Sequence, residues 1–302
     1  MKKVLVIGST VVDVIINVDH LPKTQEDVHV LSQHMSLGGC AFNTSEVIHH
    51  FDVPYLLFSP VGTGAYGDFV RRNLENKKIQ TPLPPAECEN GCCYCFVEAN
   101  GERTFICHHG AEYLFKEEWF ELADASEIDS VYICGLEIEE TTGETIVSYL
   151  EKHPEFRIYF APGPRINKIA PELLSRLFAL HPIVHLNEKE ILSYTKEDTY
   201  ESGAEKLFQR TQNSVIITLG AKGAYYFSGN ENGHVSGVPA NQIDTIGAGD
   251  SHIGAVIAGQ KLGKTLLESI QMANCVSARV VETKGALLSD EVYEELKAEW
   301  KK

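Results

Sequence analysis

Basic residues are scarce in this 302-residue sequence: 26 lysines and arginines stand against 42 aspartates and glutamates, so the formal net charge is −16. Proteins that bind nucleic acids need a cationic surface that displaces counterions from the phosphates. We therefore expect no nucleic-acid partner. An acidic protein can still bind a nucleotide, because backbone N–H groups and a divalent cation offset the phosphate charge locally.

The sequence also lacks a long apolar segment, since no stretch has the length needed to cross a bilayer. The apolar residues near the N-terminus are interrupted by Gly8-Ser9-Thr10, Asp13 follows, and no small-residue cleavage site is present. These features predict a cytoplasmic protein with no membrane partner. Hydrophobic residues at 43% and charged residues at 23% are ordinary for a globular chain.

Cysteine is not scarce: there are eight, and four of them cluster at Cys88, Cys92, Cys93 and Cys95. In a chain of this length and class, free thiols are expected rather than a disulfide framework. A zinc site would need paired Cys-x-x-Cys knuckles or a histidine at a matching offset, and the cluster has neither. The sequence assigns no role to the cluster.

Short continuous apolar runs alternate with longer amphipathic stretches along most of the chain. Such runs are typical of strands buried on both faces, and their alternation with helices predicts an α/β fold with a mainly parallel sheet covered by helices on both faces. The predicted strands are 4–7, 55–59, 130–134, 157–160, 183–186 and 214–218. The predicted helices are 43–51, 68–76, 143–152, 171–180, 189–194, 202–210, 248–261, 266–281 and 292–300.

Two regions depart from this alternation: residues 11–18 with 28–37, and residues 92–108 around the turn Asn100-Gly101. Both patterns indicate amphipathic β structure with turns and no intervening helix. A small sheet that projects from the core would contain both regions, and such a lid could close over a ligand and exclude water. We predict one domain over 1–302, with a lid formed by about 9–37 and 91–109.

The most informative segment is Asp-Thr-Ile-Gly-Ala-Gly-Asp at residues 244–250. Its Gly-Ala-Gly turn leads directly into a predicted helix, and the unpaired N–H groups and dipole of a helix N-terminus favour an anion. Asp250 stands in the first helical turn, beside such an anion. The alternative is a tight loop in which Asp250 only caps the helix.

This segment resembles the C-terminal signature of the ribokinase-like (PfkB) carbohydrate kinases, usually Asp-Thr-Thr-Gly-Ala-Gly-Asp. Four other segments resemble motifs of that family in the same order: 38–43 its Gly-Gly-x-x-x-Asn, 91–112 its lid, 187–190 its Asn-x-x-Glu, and 218–224 its nucleotide-binding strand and turn. The five matches span nearly the whole chain. They imply a ribokinase-like doubly wound fold and an ATP-dependent kinase that uses Mg²⁺ and transfers the γ-phosphate to a hydroxymethyl group of a sugar.

The resemblance also assigns roles around the acceptor. It implies that Asp250 takes the proton from the attacking hydroxyl, while the N–H groups of Gly247, Ala248 and Gly249 stabilise the transferring phosphoryl group. The positions that match the sugar site are Asp13, Gly38, Gly39, Asn43 and Glu137. Taken alone, Asp13 also fits an ordinary surface residue of an edge strand.

Further positions match the nucleotide and metal sites of the family, namely Asn187, Thr218, Gly220, Gly223 and Asn274. Asn187 and Glu190 lie one helical turn apart and match residues that hold Mg²⁺ through water, although each taken alone fits a helix cap or an acidic first turn. The carbonyl groups of Asp244 and Ile246 resemble a monovalent-cation site, so K⁺ dependence stays open. The lid resembles one that forms a homodimer, in which a partner covers the exposed sheet edges.

Four positions depart from the family pattern and weaken the assignment of ribose as the substrate. Ile246 replaces the second threonine of the signature, Cys40 replaces the lysine of typical ribokinases, His252 stands where phenylalanine is frequent, and Ala161 stands where many sugar-phosphate kinases carry aspartate. A nucleoside kinase on the same fold, or a catalytically silent ligand-binding homologue, therefore stays open as an alternative.

A second glycine motif, Gly62-x-Gly64-x-x-Gly67, follows an apolar strand as in dinucleotide-binding proteins. The acidic residue expected about twenty positions later is missing, because the sequence at residues 81–85 is Thr-Pro-Leu-Pro-Pro. We interpret this motif as structural. The P-loop pattern Gly-x-x-x-x-Gly-Lys-Ser/Thr is also absent from the sequence.

Overall fold

The computed structural model describes residues 1–300, which contain twelve strands and ten α-helices. The strands are β1 (Lys3–Ile7), β2 (Val11–Asn17), β3 (Ser32–Gly38), β4 (Tyr55–Phe58), β5 (Cys92–Val97), β6 (Arg103–His108), β7 (Ile128–Cys134), β8 (Arg157–Ala161), β9 (Ile183–Asn187), β10 (Val215–Thr218), β11 (Gly223–Phe227) and β12 (Asn232–Ser236). The helices are α1 (Cys40–His50), α2 (Gly64–Asn76), α3 (Gly135–Glu139), α4 (Gly143–Glu151), α5 (Pro171–Ala179), α6 (Glu188–Thr195), α7 (Tyr200–Thr211), α8 (Ala248–Lys261), α9 (Leu266–Val281) and α10 (Asp290–Trp300).

The central sheet has eight strands in the order β12-β11-β10-β9-β8-β7-β1-β4. The six strands from β10 to β4 are parallel. Alternate residues of β1 enter different cores: Val4 and Val6 pack in the core that contains residues of α1, α8 and α9, whereas Leu5 and Ile7 pack in the core that contains residues of α4, α5 and α7. Burial of both faces explains why residues 4–7 of this strand are all apolar. The predicted α/β architecture is confirmed.

The edge of this sheet was not predicted. Strand β11 runs antiparallel to β10, and β12 runs antiparallel to β11. The apolar run of β11 is as continuous as that of a parallel strand, so its direction cannot be read from its residues. The predicted strands and helices are otherwise present, with ends that differ by up to four residues.

A separate four-stranded sheet, in the order β3-β2-β5-β6, forms the predicted small β-sheet lid. Strands β2 and β5 are parallel, and the outer pairs β2–β3 and β5–β6 are antiparallel. Val12, Val14 and Ile16 are buried in the core, so strand alternation turns Asp13 and Ile15 to the opposite face. We call this opposite side the ligand face of the lid, because it lines the cavity described below.

The glycine motif at the start of α2 is held by protein contacts. The N–H group of Gly62 donates to Asn90 Oδ1 at 2.7 Å, and Arg71 Nη1 donates to the Gly62 carbonyl at 2.8 Å. A side chain at Gly62 would approach the Cys88 carbonyl to 2.4 Å. Close packing of backbone therefore explains the glycine at the first position of this motif. No helix within residues 1–300 is long and apolar enough to cross a membrane.

Candidate active site

The N-terminus of α8 presents unpaired N–H groups to open space. Gly247 begins the turn in the left-handed region (φ 73°), where a Cβ would also lie 2.4 Å from a neighbouring side chain. The N–H group of Ala248 donates to the Thr245 carbonyl at 3.3 Å, whereas those of Gly249 and Asp250 have no acceptor among residues 1–300. No atom lies within 4 Å of a Cβ built on Gly249. An anionic group fits this opening.

Asp250 lies beside this opening and is held by α1. Asn43 Nδ2 donates to Asp250 Oδ2 at 2.9 Å, and the Asn43 Oδ1 atom is buried without a partner in the described part of the chain. Burial raises the pKa of Asp250 to about 6, hydrogen bonds from Asn43 and Cys40 lower it, and the Glu137 charge raises it. A carboxylate with a pKa close to neutral is well suited to accept a proton.

Asp13 lies on the ligand face of the lid, next to a pair of glycines. A side chain at Gly38 would overlap the Asp13 carboxylate, with its Cβ 2.0 Å from Oδ2, and one at Gly39 would lie 2.4 Å from the Ser9 carbonyl. Burial, and to a smaller extent the charge of Asp250, raise the pKa of Asp13 to about 6. Within residues 1–300 no hydrogen bond to this carboxylate is present, so it can accept hydrogen bonds from ligand hydroxyl groups.

A cavity of about 420 Å³ separates the lid from the loops around α8. Its polar lining residues are Asp13, Asn17, His34, Ser36, Arg103, Asp244 and Lys284. The remaining lining residues are Ile15, Leu37, Cys95, Val97, Phe105, Ile246, Gly285, Ala286 and Leu287. The volume is in the range of small-molecule sites. Asp13 and Ile246, the residue before the Gly-Ala-Gly-Asp turn, therefore line one cavity although they come from distant parts of the sequence.

An ion pair joins the lid to the loop before α8. Arg103 Nη1 on β6 lies 2.5 Å from Asp244 Oδ1, which also accepts from the Ile246 N–H, and Asp244 Oδ2 accepts from the Gly285 N–H. Burial raises the pKa of Asp244, but the hydrogen bonds from Arg103, Ile246 and Gly285 outweigh this effect and hold the pKa below its usual value. The backbone carbonyls of Asp244 and Ile246, predicted as cation ligands, accept no hydrogen bond within residues 1–300. Sequence reasoning missed the Arg103 contact.

Asn187 and Glu190 form a reciprocal capping box at the start of α6. Asn187 Oδ1 accepts from the Glu190 N–H at 2.9 Å, and Glu190 Oε2 accepts from the Asn187 N–H at 2.8 Å. The cap leaves Glu190 Oε1 available, and burial raises the pKa of this side chain. Both residues thus have a structural role that does not use all of their oxygen atoms.

Thr218 ends β10, Gly220 lies in the turn that leads to β11, and Gly223 is the first residue of β11. Gly220 has φ 60° and no atom within 4 Å of a Cβ built on it, so the backbone is open to a ligand there. Gly223 differs, because a Cβ there would lie 2.1 Å from the Val235 carbonyl. Close packing against β12 therefore explains the glycine at position 223.

Asn274 is part of a buried chain of hydrogen bonds. Its Nδ2 donates to the carbonyls of Val235 and Ser236 at 3.2 and 3.1 Å, so its Oδ1 accepts from His252 Nε2 at 3.1 Å. His252 Nδ1 is then the acceptor for His185 Nε2 at 3.0 Å. Burial lowers the pKa of both histidines, that of His252 to about 4. The chain joins β9, α8, α9 and β12, and leaves Asn274 no spare donor for a nucleotide.

Glu137 lies behind the cavity rather than in its wall. It is fully buried, Oε1 accepts from the Ser9 N–H at 2.8 Å, and Oε2 has no partner among residues 1–300. The charge of Glu137 raises the pKa of Asp250, so the two carboxyl groups are electrostatically coupled. Its position in the first turn of α3 did not reveal this burial.

The fold and the site together are those of a small-molecule kinase: a helix N-terminus open to an anion, a neighbouring carboxylate and a lid over a cavity. The family model described as pfkB family carbohydrate kinase matches residues 1–292, and this chain belongs to that family. The predicted family is confirmed. The protein is accordingly a phosphotransferase with an alcohol group as acceptor.

Three similar proteins illustrate the relationship. The uncharacterized sugar kinase YegV of Escherichia coli (strain K12) is 30% identical over 288 residues, which cover 94% of this chain and 90% of that protein. Ribokinase of Thermotoga maritima has a TM-score of 0.86 at 23% identity, covering 98% of this chain and 99% of that chain. Arabidopsis thaliana ribokinase, solved in complex with ribose and ATP, has a TM-score of 0.78 at 18% identity, covering 98% of each chain. The predicted ribokinase-like fold is confirmed.

Proposed function

We propose that this protein is an ATP- and Mg²⁺-dependent kinase that phosphorylates a hydroxymethyl group of a sugar, with Asp250 as the general base. The observation that carries this proposal is the position of the Asp250 carboxylate, beside the unpaired N–H groups of α8 and close enough to Asp13, which lines the cavity, for its charge to raise the pKa of Asp13. A proton acceptor and an anion site thus share one helix turn. In this proposal, residues 1–302 form one domain, and the protein acts in the cytoplasm.

The acceptor is held on the lid side of the cavity. The Asp13 carboxylate accepts hydrogen bonds from sugar hydroxyls, and Asn43 Oδ1, which is buried and unpaired within the described chain, accepts another. The absence of side chains at Gly38 and Gly39 lets the acceptor approach the backbone. This arrangement orients the hydroxymethyl oxygen toward Asp250.

Asp250 then accepts the hydroxyl proton as the oxygen attacks phosphorus, and the N–H groups of Gly247, Ala248 and Gly249 stabilise the negative charge on the transferring group. Mg²⁺, when bound, would neutralise charge on the phosphates. The free Oε1 atom of Glu190 suits such a hard cation through water.

The residues proposed for the nucleotide are Asn187, Thr218, Gly220, Gly223 and Asn274. Gly220 offers open backbone. Asn274 acts indirectly, by holding the carbonyls at the end of β12.

Two further elements belong to the proposal. The carbonyls of Asp244 and Ile246 would hold K⁺. The lid forms a homodimer, which is supported by the exposed apolar residues Met35 and Ile106 on its outer strands.

The test is ADP formation with a panel of pentoses, hexoses and keto-sugar acids, with Mg²⁺ and with or without K⁺. We expect turnover with one sugar class, and a loss of about 10²–10⁴-fold in kcat for Asp250→Asn. Asp27→Asn, which changes an exposed carboxylate away from the cavity, is the matched control. ATP binding without turnover on any compound would favour a silent homologue, and absence of ATP binding would contradict the proposal.

A nucleoside is the second candidate acceptor, and the apolar part of the cavity favours it. The cavity wall on the lid includes the apolar side chains of Ile15, Val97 and Phe105. A free sugar carries hydroxyl groups on all sides, so it would leave some of them unpaired against this wall. A heterocyclic base would bury its faces against these side chains. Nucleosides therefore join the panel, and Phe105→Ala should reduce kcat/KM for nucleosides more than for free sugars.

A further inference from the structure

Two cysteines face each other across the hairpin that closes the lid. Cys93 on β5 is directly opposite Cys107 on β6, and their Sγ atoms lie 3.5 Å apart. Residues directly opposite in an antiparallel pair have Cα atoms about 4.5–5.5 Å apart. This separation is within the range of about 4.4–6.8 Å that a disulfide spans. The hairpin therefore holds the two thiols in a geometry that allows a bond with little backbone movement.

The pair lies on the ligand face of the lid. The β2–β5 register pairs Asp13 with Cys93, and alternation places Cys107 on the same side as Phe105, which lines the cavity. The two thiols are thus neighbours of the carboxylate proposed to hold the acceptor. None of the residues assigned to the anion site or to the nucleotide lies on this hairpin.

We propose that Cys93 and Cys107 are a reversible oxidation site, at which a peroxide forms an intramolecular disulfide that weakens binding of the acceptor. The disulfide itself is independent of any enzymatic activity. Its effect on the acceptor rests on the proposed function.

The two sulfurs differ in their surroundings, and this sets the order of reaction. Cys107 is exposed, whereas Cys93 is partly covered. Burial raises the pKa of the Cys93 thiol, and the neighbouring Cys107 and Asp13 raise it further. Cys93 therefore stays protonated at neutral pH, and the accessible Cys107 reacts first.

The chemistry balances with hydrogen peroxide as the oxidant. The Cys107 thiolate attacks one peroxide oxygen, the O–O bond breaks, and sulfenic acid and hydroxide form. Cys93 Sγ then attacks Cys107 Sγ, the S–O bond breaks, and water leaves with the Cys93 proton. Two thiols are oxidised to one disulfide, and one peroxide is reduced to two waters; a dithiol reductant reverses the change.

The bond would change the acceptor side of the cavity. A disulfide has an S–S distance of about 2.05 Å, so the sulfurs must approach by about 1.5 Å. That approach repositions the Cys93 side chain beside Asp13, and the bond removes both S–H groups from this face. We expect the KM for the acceptor to rise at least about threefold while the KM for ATP stays unchanged, because β10 and α6 lie outside the lid.

The experiment treats the full-length protein with hydrogen peroxide and maps its peptides by mass spectrometry without reduction. We expect one linked species that joins the Cys93 and Cys107 peptides and has lost two hydrogen atoms. Cys93→Ser and Cys107→Ser should each abolish it. Cys88→Ser, which removes another exposed thiol, should leave it intact. Kinetics before oxidation, after oxidation and after dithiothreitol complete the test.

The outcomes separate the parts of the argument. No linked peptide, or one that joins other cysteines, overturns the site. A linked peptide with an unchanged acceptor KM overturns the effect on binding. A reduced protein without turnover on any acceptor refutes the proposed kinase instead, and the peptide map still decides whether the disulfide forms.

Discussion

Replacing Asp250 by asparagine should stabilise the folded protein at neutral pH while it removes activity. Burial raises the pKa of Asp250 from 3.8 to about 6, so the folded state disfavours the ionised form. At about 1.4 kcal/mol for each pKa unit, ionised Asp250 costs about 3 kcal/mol of folding free energy. Asparagine carries no charge, and its Oδ1 can keep the hydrogen bond from Asn43 Nδ2.

The sign of the pH dependence follows from the two pKa values. Below about pH 4 the carboxyl is protonated in both states and its ionisation costs nothing. The cost grows as the pH rises between the unfolded and the folded pKa, and above about pH 6 it is complete. Asp250→Asn should therefore raise the free energy of unfolding by about 3 kcal/mol at pH 8, and by about half of that at pH 5.

Urea titrations of the wild type and the variant at pH 8, 6 and 5 would measure this difference. Asp27→Asn changes an exposed carboxylate and should show no comparable gain at any of these pH values. A variant that is less stable than the wild type at pH 8, or a gain that does not shrink toward pH 5, would refute the argument that Asp250 is desolvated in the folded state.

Three further predictions concern the lid, the buried histidine chain and the pH profile. Arg103→Ala removes the ion pair with Asp244 and should raise the acceptor KM about tenfold in steady-state kinetics, with a smaller effect for Arg103→Lys. His252→Phe leaves two buried partners unpaired and should lower the free energy of unfolding in urea by about 1–3 kcal/mol; an unchanged midpoint would contradict the network. Because Asp13 and Asp250 both have a pKa of about 6, log kcat/KM should fall below pH 6 with a slope approaching about two, and Asp13→Asn should reduce that slope to about one.

Local pattern was sufficient for the parallel strands but not for the sheet edge. A strand segment buried on both faces is continuously apolar, as in residues 4–7 of β1 and 131–134 of β7, and such runs stand out from amphipathic helices. Strand β11 has the same pattern, yet it is antiparallel. Direction depends on the connection and the neighbour, which residue type does not encode.

In the candidate site too, local sequence pattern identified individual residues but not the contacts between them. The sequence predicted Asp250 and Asn43 separately, although they are 207 positions apart, and the structure joins them by a hydrogen bond. The Arg103–Asp244 pair spans 141 positions and had no signal in either motif. Such contacts arise when the lid and the α8 loop meet, and no local spacing contains that information.

By itself, the sequence determined the family, the α/β alternation and the Gly-Ala-Gly-Asp turn, because each depends on residue type and local spacing. Only the tertiary structure decided which side chains are free to act. It leaves Asp13 without a hydrogen-bond partner among residues 1–300, whereas Asn274 is fully engaged and Glu137 is buried behind the cavity. Burial and hydrogen-bond partners depend on which distant segments pack together, and this packing exists only in the folded chain.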